Sequence, residues 1–254
     1  MTQHINDDVA MTGGGAPVPP ASDAPASSSA LDNPVWYSLR SAHRSLARGD
    51  ERALRYPADV SPFMAVADDH RGEDWERLAE LVGTDPVVLV NPPADVPASW
   101  VRVRRLDGLQ MISPENPSDA TPGASATAIT VLGESDRAEM LELATITKPG
   151  PFALRTGLLG RYVGIREEGR LIAMAGERLQ PDGWAEISAV CTLPEFRGRG
   201  LARLVMDEIS AGIRARGDRP FLHVVATNIG AIRLYERMGF SVRRPVQIDA
   251  YETR

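Results

Sequence analysis

Arg197-Gly198-Arg199-Gly200-Leu201-Ala202 stands between a strand-like run, residues 186–192, and a helix-like run, Leu201–Ala215. A strand that feeds a glycine-rich turn into a helix N-terminus presents several unpaired backbone N–H groups, and the helix dipole adds positive potential at the same point. Gly198 and Gly200 permit positive φ and close approach of a ligand, while Arg197 and Arg199 can add charge-assisted hydrogen bonds. The stretch therefore reads as a phosphate cradle. Two common nucleotide patterns do not fit it. A Walker loop needs Gly-Lys-Ser/Thr, and the only lysine of the chain is Lys148. A dinucleotide fingerprint needs a third glycine where Arg203 stands. The pattern that remains is R-x-x-G-x-A.

Outward from this loop, the C-terminal half alternates as a mixed sheet with crossover helices requires. Residues 129–132 read as a strand and residues 134–147 as a helix ended by Pro149-Gly150-Pro151. Residues 162–166 and 171–178 form a predicted hairpin, followed by a strand over 184–192. In the helix after the loop, Leu201, Leu204, Val205, Ile209 and Ile213 share one face, closed by Gly217 and Pro220. A strand over 221–226 leads to Asn228, the predicted N-cap of a helix whose face is Ala231, Leu234, Tyr235 and Met238. Two further strand runs, 240–246 and 247–251, finish the sheet.

The first half is less regular. Residues 1–31 are rich in Ala, Pro, Ser, Gly and Asp without aromatic residues, and are expected to be a disordered tail. From residue 32 to 112 an N-terminal α/β region is predicted. Its helical spacings are Val35, Trp36, Leu39 and Leu46, then Trp75, Leu78, Leu81 and Val82. Residues 100–112 carry Asp107-Gly108 between two strand-like runs, a hairpin signal. A polar, proline-bearing stretch, residues 113–127, reads as a linker to a second unit spanning 128–254.

Composition narrows the class. With 254 residues and 43% hydrophobic content the chain can bury one large core or two modest ones. A net charge of -6 and the lack of a basic run argue against a nucleic-acid partner. No run of about 18 apolar residues exists to span a membrane. The first residues lack the charged and apolar regions of a secretory signal. One cysteine cannot form an internal disulfide, and a cytoplasmic setting is expected. No His/Cys/Asp cluster has metal-ligand spacing, so no metal is predicted.

Three blocks of residues together resemble the GNAT superfamily of acyl-CoA-dependent N-acyltransferases. The loop matches its Q/R-x-x-G-x-G/A signature. Ala185 through Phe196, with Pro194 just before the loop, resembles its fourth strand and exit. Asn228-Ile229-Gly230-Ala231-Ile232-Arg233-Leu234-Tyr235-Glu236-Arg237-Met238-Gly239-Phe240 resembles its N-x-x-A-x-x-L-Y-E-x-x-G-F helix and following strand. The resemblance covers residues 128–254. It implies a GNAT-like mixed α/β fold, with any second such unit in the first half degenerate because it lacks a phosphate loop. The overall pattern, a degenerate first half with R-G-R-G-L-A in the second, looks closest to the branch that includes glycine N-acyltransferase-like proteins.

What the resemblance implies for chemistry is transfer of an acetyl group from acetyl-CoA to a primary amine of a small molecule or peptide, by direct attack in a ternary complex. An alkyl ammonium with pKa about 10.4 is only about 0.1% free base near pH 7.4, a penalty of roughly 4 kcal/mol. A base is therefore useful. Glu186, eleven residues before Arg197, holds the position of a general base in several family members; its alternative reading is a solvent-facing or ion-paired strand carboxylate. As a base it would need burial to strengthen it. Tyr235 matches the tyrosine that donates a proton toward the departing CoA sulfur, or else is a core aromatic at helical spacing. Main-chain N–H groups of Val190 and Thr192, where the fourth strand splays from the fifth, would hold the acyl and pantetheine groups. With Cys191 between them, Arg197 to Ala202, Asn228 and Tyr235 complete the expected cofactor site. Cys191 reads as a buried thiol rather than a nucleophile, and His223 as a packing or polar-face residue rather than a base. The functional alternative is a non-catalytic acyl-CoA-binding or regulatory module. Residues 147–152 lie where family members shape the acceptor site. The acceptor, the acyl length and the oligomeric state are left open.

Overall fold

The computed structural model of the protein describes residues 26–115 and 128–253. The N-terminal part comprises α1 (Pro34–Arg40), β1 (Arg48–Gly49), β2 (Ala53–Arg55), β3 (Met64–Val66), α2 (Gly72–Val82), β4 (Val87–Val90) and β5 (Trp100–Ile112). The C-terminal part comprises β6 (Ile129–Leu132), α3 (Arg137–Thr147), β7 (Tyr162–Glu167), β8 (Arg170–Glu177), β9 (Trp184–Thr192), α4 (Leu201–Ala215), β10 (Arg219–Val225), α5 (Ile229–Arg237) and β11 (Ser241–Thr253). The predicted mixed α/β fold is the one the chain forms. Most of the expected tail and linker, residues 1–25 and 116–127, lies outside the described residues. The end of the expected tail, Ala26–Leu31, is a 3₁₀ helix with Leu31 fully buried.

Eight strands make the main sheet, in the order β4-β11-β5-β10-β9-β8-β7-β6. Its named strand pairs are antiparallel except β9 with β10, and that pair needs the crossover that α4 supplies. Leu201, Val205, Met206, Ile209 and Ile213 recur at three- and four-residue steps, so one face of α4 buries against the sheet.

Two sequence readings are corrected. Residues 100–112 are one continuous strand rather than a hairpin, and β11 is one strand rather than two. At Gly108 the missing side chain serves close packing instead of a turn. A Cβ there would stand 3.0 Å from the Val224 carbonyl oxygen and 3.2 Å from Val246 Cγ2, on the strands either side. β5 thus lies between β10 and β11, inside the sheet of the C-terminal part. Apolar residues of the two parts share a core, with Tyr56 and Phe63 packed in one cluster with Leu159, Leu179, Trp184 and Phe221.

Candidate active site

β9 and β10 are paired for three rows only, Arg219 with Trp184, Pro220 with Ala185 and Phe221 with Glu186. Beyond that row each strand stays paired on its outer side, β9 with β8 as far as Thr192 and β10 with β5 as far as Val225. The main-chain groups that face inward from residues 187–192 and 222–225 have no strand partner across this split. A bulge marks the β9 side. Ser188 opposes Gly176 and Cys191 opposes Met174, three steps on β9 against two on β8, and Ala189 takes a φ of 52°. A non-glycine residue in that region is uncommon, and a bulge re-aims main-chain groups. Val190, Cys191 and Thr192 follow it directly. Thr192 Oγ1 is buried without a hydrogen-bond partner among the described residues.

The glycine loop follows β9. Gly198 and Gly200 adopt φ of 79° and 76°, and Gly200 is the N-cap of α4, with no side chain capping the helix. The space where a Cβ would stand on either glycine is open. An uncapped helix N-terminus under open space fits a phosphate group, as the sequence suggests. The neighbouring arginines are already engaged. Arg199 pairs with Glu167 at 2.7 Å and lies over the Phe196 ring, and Arg197 Nε donates to the Thr192 carbonyl at 3.4 Å. Leu201 is buried, whereas Arg197 to Gly200 are exposed.

Asn228 caps α5, its Oδ1 accepting from the Ala231 N–H at 3.2 Å. Tyr235 is the buried residue of that helix, 6.4 Å from the Phe240 ring. Its hydroxyl has no hydrogen-bond partner among the described residues, and burial pushes its pKa up to about 12. It is protonated at neutral pH, and burial makes it a weaker acid than a free phenol.

Glu186 sits in the last paired row and is fully buried. Arg178 Nε donates to Oε2 at 2.9 Å and Nη2 to Oε1 at 2.5 Å, and His223 Nδ1 donates to Oε1 at 2.7 Å. The Gln110 amide donates to the Leu31 carbonyl and to His223 Nε2, while its oxygen accepts from Arg243, so Nε2 is the accepting nitrogen and Nδ1 the one that donates to Glu186. Phe63 lies 4.9 Å from the Arg178 guanidinium. Burial pulls the Glu186 carboxyl upward. The Arg178 charge, the His223 ring and their hydrogen bonds outweigh it and hold the group well below the usual carboxylate range. Glu186 is thus the ion-paired strand carboxylate, and its surroundings weaken it as a base where the sequence reading required them to strengthen it. Both His223 nitrogens are engaged as well. Although the His223 side chain is 1% exposed, the residue as a whole is only half-buried, so what it exposes is main chain.

Cys191 is buried, and burial pushes its thiol up to about 11 against weaker opposing hydrogen bonds, the reverse of an activated nucleophile. Arg178 and Gln110, which complete the cluster around Glu186, carry no local sequence signal. Among the described residues no group of three or more His, Cys, Asp or Glu is placed to hold a metal ion, and no helix is long and apolar enough to cross a membrane.

A strand split between the fourth and fifth strands of a C-terminal sheet, with a glycine loop and helix N-terminus at its mouth, defines an acyltransferase architecture. The family described as FR47-like protein matches residues 162–247. A solved structure described as an acetyltransferase of the GNAT family from Novosphingobium aromaticivorans shares 40% identity with a TM-score of 0.78, over 88% of this chain and 98% of that one. A GCN5-related N-acetyltransferase from Kribbella flavida shares the fold, at 16% identity and a TM-score of 0.60, over 88% of this chain and 95% of that one. No curated protein matches the chain. The chain belongs to the GNAT family of acetyltransferases.

Proposed function

We propose that the protein transfers an acetyl group from acetyl-CoA to a primary amine of a small molecule or peptide, by direct attack within a ternary complex. The observation that carries this reading is the split that opens after Glu186 and Phe221 and leads to the uncapped N-terminus of α4 at Gly200. Acetyl-CoA supplies the acyl group as a thioester. The Gly198–Gly200 loop and the first turn of α4 hold its pyrophosphate by main-chain donors, helped by Arg197 and by Arg199 once it leaves Glu167. Inward-facing N–H groups of Val190 and Thr192 hold the acyl carbonyl and pantetheine, with Cys191 as buried backing. Asn228 caps α5 beside the cofactor, and Tyr235 delivers its phenolic proton toward the departing sulfur.

The amine enters as its free base. Moving a proton from an alkyl ammonium to a carboxyl even at its ordinary value of about 4.3 spans about 6 pKa units, or about 8 kcal/mol, and the ion pair with Arg178 widens that gap. Glu186 instead organises the point where the strands part. The general-base role implied by the resemblance would require the Arg178 pair to open.

Residues 128–254 form the catalytic unit in this reading, and the N-terminal region buttresses its acceptor side. Thr156 Oγ1 donates to the Val60 carbonyl at 2.7 Å, Arg155 pairs with Asp59 at 2.8 Å, and His43 Nε2 bonds the Leu159 carbonyl at 2.8 Å. These ties fix the segment that follows residues 147–152. A place in the glycine N-acyltransferase-like branch and a cytoplasmic setting belong to the same proposal.

Calorimetry of acetyl-CoA with the wild type, Gly200→Ala and Gly200→Glu tests it. Both variants share the backbone strain of a side chain at φ 76°, so the loss expected only for the glutamate variant isolates its charge and bulk in the open space over the loop. No binding to the wild type would sink the reading. Binding without acetylation of any amine would favour a non-catalytic acyl-CoA module.

A further inference from the structure

The two parts of the chain repeat one arrangement. In the C-terminal part β9 leads through α4 to β10, its parallel neighbour. In the N-terminal part β3 leads through α2 to β4, and a parallel bridge joins Phe63, just before β3, to Val88 on β4. Each part gives its last strand to the other, β5 pairing with β10 and β11 with β4. A cavity stands at the same place in both. It lies between the helix that packs on the third strand (α1 or α3), the start of the strand before it (β2 or β8) and the residues that follow it. The cavity beside α3 measures about 210 Å³ and has a floor of buried leucines, Leu143, Leu171 and Leu193. The cavity beside α1 measures about 390 Å³ and is lined quite differently. Shared backbone geometry explains why both exist, so the chemistry of the larger one needs its own reason.

Trp36 and Tyr37 give that cavity aromatic walls, and Glu51, Asp68 and Asp69 give it three carboxylates against the guanidinium groups of Arg40 and Arg52. Arg52 is neutralised, paired with Asp69 at 2.7 Å and with the buried Asp74 at 2.9 Å. Asp68 accepts from uncharged donors, the Asn33 amide at 2.9 Å and the Tyr37 hydroxyl at 2.7 Å, which hold the carboxylate in place without cancelling its charge. Glu51 is exposed and has no ion-pair partner among the described residues. The remaining cation, Arg40, lies over the Trp36 ring, its Cζ 5.2 Å from the centroid, and it too has no ion-pair partner among the described residues. Arg40 ends α1 and is exposed on a long stem, so the ring face it covers can be vacated. An aromatic face that already carries a cation, beside two carboxylates that lack one, is the chemistry that recognises organic cations.

We propose that this cavity binds an organic cation of the ammonium or guanidinium class, which takes the Trp36 face from Arg40 and pairs with Asp68 and Glu51. A divalent metal ion fits less well, because it needs several oxygens converging on one point, and no group of three or more His, Cys, Asp or Glu is so placed among the described residues. No residue lining the cavity belongs to the acetyl-CoA site proposed above, and binding here is independent of acetyl transfer.

Benzyltrimethylammonium is the probe for the test, since its quaternary nitrogen cannot be acetylated. Calorimetry of the full chain at low salt follows its binding, together with the Trp36 indole N–H resonance, assigned by its loss in Trp36→Phe. Expected are saturable binding in the millimolar range and a shift of that resonance. Arg40→Ala should tighten binding about three- to tenfold by freeing the ring face, and Glu51→Gln should weaken it about two- to threefold, an effect that fades at high salt. Both side chains are exposed, so both variants should keep the wild-type melting midpoint. Gly200→Glu should bind the probe as the wild type does, and magnesium chloride should compete no better than sodium chloride of equal ionic strength. No saturation with either the wild type or Arg40→Ala would overturn the proposal. So would weaker binding to Arg40→Ala or loss of binding in Gly200→Glu, either of which would place the cation elsewhere. Competition by magnesium beyond its ionic strength would make this a metal site and overturn it as well.

Discussion

Glu186→Gln asks whether charge holds the point where β9 and β10 part. Glutamine keeps the shape and one accepting oxygen but leaves Arg178, whose side chain is 10% exposed, facing a neutral amide in a site where residue 186 has no exposure at all. Removing one partner of a buried ion pair costs about 3–5 kcal/mol. The hydrogen bond from His223 Nδ1 can persist to the amide oxygen and recover about 1 kcal/mol. A net loss of about 2–4 kcal/mol at pH 7 follows, and at about 2–4 °C per kcal/mol for a chain of this size the midpoint should fall by about 4–16 °C. Urea unfolding read by tryptophan fluorescence is a suitable assay, since Trp184 lies 6.3 Å from Phe221 in the same paired rows.

The pH dependence sharpens it. The folded carboxyl lies below its unfolded value of about 4.3, so its contribution is complete above that value and is lost as pH falls toward the folded one. The gap between wild type and variant should be full at pH 7 and close under acid. Adding Arg178→Met should restore most of the loss, because it removes the buried guanidinium that the first substitution leaves without a counter-charge. A variant within about 1 kcal/mol of the wild type at pH 7, or a gap that widens on acidification, would refute the ion-paired assignment. The case against Glu186 as general base would go with it.

Tyr235→Phe should lower kcat by about 10- to 100-fold, a modest general-acid effect because a thiol leaving group with pKa about 8.5 needs limited help. Its stability should be near wild type, since the hydroxyl has no partner among the described residues; stopped assays and melting curves check both. With an alkyl amine acceptor, log kcat/KM should rise by about one per pH unit between about pH 6 and 9, tracking free amine, whereas a plateau there would reveal a protein base. Glu167→Gln frees Arg199 from a half-exposed pair and should tighten acetyl-CoA binding by about two- to threefold at low salt, an effect that calorimetry should find fading at high salt.

Local chemistry was readable along the chain. The strand, loop and helix around Gly198 and Gly200, the Asn228 cap, and the hairpin turning at Glu168 and Gly169 each depend on residues adjacent in sequence. Asp107-Gly108 misled for a physical reason. Glycine is used both where φ must be positive and where two backbones must approach, and only the neighbours at Val224 and Val246 show which. The same ambiguity hid Gly176, whose bareness serves Tyr162 from the adjoining strand. Periodicity says which way a side chain faces but not what covers that face, so Glu186 could be placed on β9 without its partners. Those partners come from residues 178 and 223, and His223 is held in turn by Gln110, 113 positions away.

These partners explain why a weakened carboxylate is worth burying there. Main-chain pairing between β9 and β10 ends at Glu186 and Phe221, and a split that starts by simple loss of pairing could spread back toward Trp184. The Glu186–His223 hydrogen bond joins the two strands just past that last row, while Arg178 ties the same carboxylate to the end of β8. The backbone between residues 178–179 and Glu186 is also closed, with the Arg178 N–H donating to the Glu186 carbonyl and the Glu186 N–H to the Leu179 carbonyl. The cluster pins the root of the split, and the bulge at Ala189 then turns β9 outward from a fixed point. An uncharged carboxyl would hold Arg178 less tightly, so the same depression that weakens Glu186 as a base helps it fix the site. On this reasoning Glu186→Gln should weaken acetyl-CoA binding as well as the fold, and restoring stability with Arg178→Met should not restore affinity, because the charged tie to β8 is still missing.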